Sequence, residues 1–110
     1  MHRDEVFVFG SNERGAHGAG ADRCAVRAHG ARYGVGVGRA GQSYAIPNKD
    51  HRIQTLPLER IRAYVRDFLA YARRHPATTF RVTRVGCGLA GYKDADIAPL
   101  FADAPANCVL

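Results

Sequence analysis

Runs of apolar residues at strand spacing alternate along this chain with segments whose apolar residues recur at helical spacing. Val6-Phe7-Val8-Phe9 is a short apolar run rich in strand formers, and Gly10-Ser11-Asn12 closes it, which predicts a buried strand ending in a loop. Ala21 to His29 is a stretch of good helix formers with Gly30 placed as a C-terminal stop, and its register sets the helix start near Ala19. Gly34-Val35-Gly36-Val37-Gly38 and Gly41 predict a flexible connection, followed by Ser43-Tyr44-Ala45-Ile46 as a second strand that Pro47 ends. The clearest helix runs from Pro57 to Arg74. Ile61, Val65, Phe68, Leu69 and Ala72 share one of its faces, Pro57 suits the first turn, and His75-Pro76 stops it. Arg60, Arg62, Arg66, Arg73 and Arg74 occupy its other sides and read as a solvated face. Phe80 to Val85 predicts another strand, Asp94 to Ala102 a short helix, and Asn107 to Leu110 a last strand.

Strands and helices in alternation predict an α/β architecture, with helices packed on a mainly parallel sheet. Ligands of such sheets gather at the carboxyl ends of the strands. Two glycine-rich loops, Gly10 to Gly20 and Gly86 to Gly91, fall at such ends, each leading into a helix. Residues 36–41 also spell G-x-G-x-x-G, but here the motif follows a helix and enters a strand. The dinucleotide fingerprint needs the reverse order, so this match reads as coincidence.

Length sets one domain, residues 1–110, because a chain of this size buries roughly two-thirds of its unfolded surface without staples. The apolar fraction of 46% and the absence of a glycine triplet period exclude disordered, collagenous and coiled-coil classes. No apolar run approaches the roughly 20 residues of a membrane span. The N-terminus lacks the apolar core of a secretory signal, so a cytoplasmic protein without membrane contact is expected. Cys24, Cys87 and Cys108 form no C-x-x-C pair, which predicts reduced thiols, and the scattered His2, His17, His29, His51 and His75 give no metal signature. No metal and no cofactor are expected.

The net charge of +6 and a pI near 9.7 favour anionic partners in general. Nearly all the basic residues are arginine, Lys49 and Lys93 being the two lysines, and no run of five like charges marks a nucleic-acid patch. That bias reads as coding habit more than as binding adaptation. Glycine loops let the backbone turn N–H groups onto a ligand, and a following helix start adds partial positive charge. Two of them suit a diphosphate, although glycines of this kind also serve as plain turns. Lys49 follows a predicted strand end, where an amine can lose its proton and attack an electrophilic carbon. It reads equally as a surface lysine. Cys87, between two glycines, is a weaker nucleophile candidate with His17 or His51 as base, and a buried inert thiol is the plainer reading. Asp94 and Asp96 complement a helix start rather than forming an acid/base pair.

With these residues in view, the sequence resembles a macro domain, the ADP-ribose-binding α/β module, over most of its length. Phe9-Gly10-Ser11-Asn12 resembles the family's strand ending in asparagine, and Gly18-Ala19-Gly20-Ala21 its glycine-rich entry to the first helix. Arg84-Val85-Gly86-Cys87-Gly88-Leu89 resembles its second phosphate loop. Ile46-Pro47-Asn48-Lys49 is most similar to the branch of the terminal ADP-ribose protein glycohydrolase and the antitoxin DarG. The resemblance implies a three-layer macro-like fold, a mixed, mainly parallel sheet flanked by helices, in a minimal version without the usual N-terminal strands and their adenine-contacting Gly-Asp. It implies ADP-ribose or an ADP-ribosylated macromolecule as partner, and hydrolysis of an ADP-ribosyl linkage with Lys49 as nucleophile. Asn12, with Gly10 and Ser11 before it, would lie near the distal ribose. Gly18, Ala19, Gly20 and Ala21 would form one part of the ligand cradle, Gly86, Cys87, Gly88, Leu89, Ala90 and Gly91 the part that holds diphosphate, and Tyr92 would contact the ligand beside them. Ala90 stands where one glycohydrolase type has aspartate, which leaves the lysine's catalytic partner unassigned. Two further readings stand beside this one: a non-catalytic binder of ADP-ribose or a related nucleotide metabolite, and a small basic nucleic-acid-binding protein.

Overall fold

A computed structural model describes residues 4–15, 36–83 and 94–109. These residues form a five-stranded mixed sheet with two helices, an α/β fold. In chain order the described elements are β1 (Asp4–Asn12), β2 (Gly38–Ala40), β3 (Ser43–Lys49), α1 (Leu58–Arg73), β4 (Thr78–Val82), α2 (Asp94–Ile97) continued by a 3-10 turn (Ala98–Phe101), and β5 (Cys108–Val109). The strands lie in the order β2-β3-β1-β4-β5. β1 pairs in parallel with both β3 and β4, and β4 in parallel with β5, while β2 and β3 form an antiparallel hairpin. No described helix is long and apolar enough to cross a membrane.

The core forms where α1 lies on the sheet. Ile61, Val65, Phe68, Leu69 and Ala72, the face that the spacing predicts, are buried against Val6, Val8, Tyr44, Ile46 and Phe80. Phe68 is the centre of this layer, in edge contact with the rings of Tyr44, Phe80 and Phe101 at centroid distances of 5.0, 5.4 and 6.3 Å. Strand alternation sends Phe7, Phe9, Ala45 and Pro47 to the other face, and Phe9 and Pro47 are fully buried there.

Several boundaries differ from the expectations. β1 runs on through Gly10-Ser11-Asn12 instead of stopping at Phe9, because β3 beside it continues to offer a parallel partner. β3 in turn passes through Pro47 to Lys49. The antiparallel ladder with β2 ends at Ala45, so the missing proline N–H breaks no bond on that edge. The glycine connection holds a strand, β2, joined to β3 by the two-residue turn Gly41-Gln42. Gly41 has φ +57 at the first turn position, where a type II′ hairpin turn requires glycine. β4 begins earlier than Phe80, at the β-branched Thr78 and Thr79, which pair with Asp4 and Glu5. The last helix loses its α pattern after Ile97, since Pro99 has no N–H to donate back to the preceding turn.

Candidate functional site

Parallel strands collect their carboxyl ends on one side of the sheet. From β1 the chain returns beside it as β3, whereas from β4 it goes on to β5 on the opposite side, so the connections diverge between β1 and β4. That divergence is where open α/β sheets form a ligand crevice. The described part of β4 pairs only as far as Val8, where Thr83 closes the ladder by donating N–H and Oγ1 to the Val8 carbonyl at 3.0 and 2.9 Å. β1 continues four residues farther, to Asn12.

Asn12 and Lys49 meet at this end. Ser11 pairs with Pro47 and Asn12 with Lys49, a register shift that leaves Asn48 as the extra residue on β3. Such a bulge re-aims the residue after it, which brings the lysine opposite the asparagine. The backbone beneath is tightly packed. Gly15 N–H donates to the Asn12 carbonyl at 3.0 Å, and the buried Ser11 hydroxyl donates to the Gly36 carbonyl. A Cβ on Gly36 would lie 2.0 Å from the Asn12 carbonyl oxygen, so only glycine fits. The first glycine of the fortuitous G-x-G-x-x-G therefore serves close approach of two backbones, and Gly38 and Gly41 serve the hairpin.

Lys49 is half-buried, and its carbonyl accepts the Glu13 N–H at 2.9 Å. An antiparallel bridge from Lys49 to Thr55 closes a short loop after it. Inside the loop Asp50 Oδ1 accepts the N–H groups of Gln54 and Arg52 at 3.0 and 2.8 Å, and these bonds hold its carboxyl below the usual carboxylate range. Ile53 takes φ +61, a strained value for a β-branched residue, and is exposed beside His51 and Arg52. Among the described residues, no carboxylate lies within ion-pairing distance of the Lys49 amine.

The nearest acidic residue on β1's side is held elsewhere. The Glu13 side chain is 11% exposed; its Oε2 accepts the Tyr64 hydroxyl and Arg60 Nη2, the latter at 2.6 Å, and its Oε1 lies 3.9 Å from His51 Nδ1. Burial and the bond to Glu13 push the Tyr64 phenol up. Arg60 is raised by its hydrogen-bonding to Tyr64 and the Glu13 charge. Arg60 is thus not merely part of a solvated face. Glu13 is the residue that spacing does not reveal, for its partners lie 47 and 51 positions away in sequence. Arg60 and Tyr64 at i and i+4 on α1 were the available signal.

Of the residues singled out from sequence, Gly10, Ser11, Asn12 and Lys49 come together at this end. Gly18, Ala19, Gly20 and Ala21 lie outside the described residues, as do Gly86, Cys87, Gly88, Leu89, Ala90, Gly91 and Tyr92, and with them His17. Among the described residues no group of His, Cys, Asp and Glu is arranged to hold a metal. Cys108 is a free, half-buried thiol whose pKa burial pushes up. Comparison with protein families, curated proteins and solved structures gave no match.

Proposed function

We propose that the protein binds ADP-ribose and hydrolyses ADP-ribosyl linkages on a modified nucleic acid or protein, with Lys49 as nucleophile. The observation that carries this reading is the register of Asn12 against Lys49 at the carboxyl ends of adjacent parallel strands. An amide at that point can hydrogen-bond a ribose hydroxyl, and an amine opposite it can reach the anomeric carbon of the same sugar. In support, the sequence supplies glycine loops after both β1 and β4, at the ends that flank the divergence of the connections. The reading brings with it a macro-like three-layer fold.

In the reaction the unprotonated Lys49 Nζ forms a bond to the anomeric carbon of the distal ribose. The bond to the target breaks, and the departing oxygen or nitrogen takes the electron pair and, through solvent, a proton. The sugar ring then opens to a protonated Schiff base. Water adds to that carbon, expels the amine, and releases ADP-ribose with Lys49 restored.

Calorimetric titration with ADP-ribose, against AMP and ribose 5-phosphate, tests the binding half; heat that requires the whole diphosphate-linked ligand supports it. Turnover on ester-linked, thymidine-linked and guanosine-linked substrates tests the chemistry. Lys49→Ala and Lys49→Arg should both abolish turnover while leaving the melting temperature unchanged, because guanidinium keeps the charge without a neutral amine. Binding without turnover would make the protein a reader of ADP-ribose. Salt-sensitive nucleic-acid binding indifferent to ADP-ribose would overturn the reading.

A further inference from the structure

Two acidic residues neighbour Lys49 through the backbone, and neither pairs with its amine. Asp50 follows it in the chain, and Glu13 donates its own N–H to the Lys49 carbonyl. A carboxylate within about 4–6 Å of an amine favours the ammonium form and so suppresses nucleophilic attack. Each acid is occupied. Asp50 caps the N–H groups of Arg52 and Gln54 in its own loop, and Glu13 is turned to α1, where Tyr64 and Arg60 both donate to its Oε2. The charged and titratable groups around this strand end are Glu13 and Arg14 just after β1, Asp50, His51 and Arg52 from the loop, and Arg60 and Tyr64 from α1.

Arg60 and Tyr64 grip a Glu13 side chain that is itself largely removed from solvent. Its carboxylate is almost buried at 11% exposure, whereas Arg60 is 57% exposed and reaches in from solvent to meet it. A buried carboxylate without partners carries a desolvation cost, and once freed from α1 it would turn to the basic side chains of this strand end, His51, 3.9 Å from its Oε1, and Lys49. We propose that Arg60 and Tyr64 are positioning residues that hold the Glu13 carboxylate away from Lys49 and so keep the amine unpaired for attack. This rests on the reading of Lys49 as nucleophile, but its test needs no ADP-ribosylated substrate.

Lys93 is the chain's other lysine and serves as an internal reference. Reductive methylation with formaldehyde and cyanoborohydride, followed by peptide mass spectrometry between pH 6 and 10, gives the labelling ratio of Lys49 to Lys93. In Tyr64→Phe/Arg60→Gln that ratio at pH 8 should fall about 3–10-fold. Adding Glu13→Gln to the double variant should return the ratio to the wild-type value, since the freed side chain then carries no charge. A ratio unchanged in a folded double variant, or one that Glu13→Gln does not restore, overturns the proposal. Should the double variant not fold, Tyr64→Phe alone carries the same expectation at smaller size, and an unchanged ratio there overturns it equally. Labelling that behaves as expected in a protein inactive on every ADP-ribosyl substrate would sustain the grip on Glu13 while refuting the proposed function.

Discussion

Both ends of the parallel strands carry a carboxylate gripped by an arginine, yet among the described residues the carboxyl end also holds a lysine amine without an ionic partner. At the amino end Asp4 accepts Gln42 Nε2 at 2.6 Å, Thr78 Oγ1 at 3.0 Å and Arg39 Nη2 at 3.2 Å. Arg39 donates further to the Tyr71 hydroxyl, Gln42 Oε1 and the Gly41 carbonyl. Hydrogen bonds thus join β1, the hairpin, β4 and α1 at one point, which describes a structural joint. At the carboxyl end Glu13 is matched by Tyr64 and Arg60, but the Lys49 amine is left without an ionic partner among the described residues. The first arrangement ties the fold together, and the second is where the proposed site lies.

α1 reaches both ends, with Tyr71 at one and Arg60 and Tyr64 at the other, so the largest effect should come from its centre. Phe68→Ala removes the ring that touches Tyr44, Phe80 and Phe101 and should cost about 3–5 kcal/mol in urea unfolding. Hydrogen exchange should then speed up at both ends together. Protection lost at one end only would show that the ends are independent. A smaller and more local effect separates two glycines of the same segment. Gly36→Ala drives a methyl into the Asn12 carbonyl, and overpacking of this kind costs about 1–3 kcal/mol. It should also weaken ADP-ribose binding at least tenfold by displacing Asn12. Gly38→Ala meets open space and bears only the strain of φ +89, about 1–2 kcal/mol, and should leave binding intact. Equal binding by the two variants would remove Asn12 from the site.

How far these features could be read from residues alone depends on the distance over which their causes act. The buried face of α1 was legible because five apolar side chains at helical spacing have one way to meet a core. β2 was not, since Gly38-Arg39-Ala40 has no strand preference and forms only because the Gly41 turn folds it onto Ser43–Ala45. Lys49 could be named from its place after a strand, but not its partner across the register, because the shift at Asn48 is a property of two strands together. Glu13 was silent for the same reason: its meaning depends on Arg60 and Tyr64, which a helix brings in from the middle of the chain.

At the amino end, Asp4→Asn should lower the melting temperature by less than either glycine variant and leave ADP-ribose binding unchanged. Its wild-type contribution has a defined pH window. The hydrogen bond from Gln42, then that from Thr78, outweighs partial burial and holds the Asp4 carboxyl below the ordinary value. The stabilisation is therefore present above the unfolded pKa of about 3.9 and is lost as pH falls through the lower folded value. Asp4→Asn should flatten that acid limb. Lost binding at neutral pH would mean that the amino end reaches the site.

The smallest effect at neutral pH, and the one that sharpens the contrast from the opposite side of the pH scale, concerns Tyr44. It lies midway between the ends, opposite Val8 in the β1–β3 register and against Phe68 and Tyr71. Burial first, and then the Asp67 charge, pushes its phenol up to about 12 from 10.0. Between those values the unfolded chain gives up the proton that the folded chain keeps. Stability from this group is thus fully present below about pH 10 and is lost as pH rises towards 12. Tyr44→Phe should be nearly neutral at pH 7 and should remove this part of the alkaline loss, measured as the difference between wild-type and variant unfolding free energies across pH 9–12. Acid loosens the amino end through Asp4, whereas alkali acting on Tyr44 strikes the layer that both ends share, so exchange protection should fall at both. Protection lost at the carboxyl end alone would point instead to deprotonation of the Tyr64 phenol that grips Glu13.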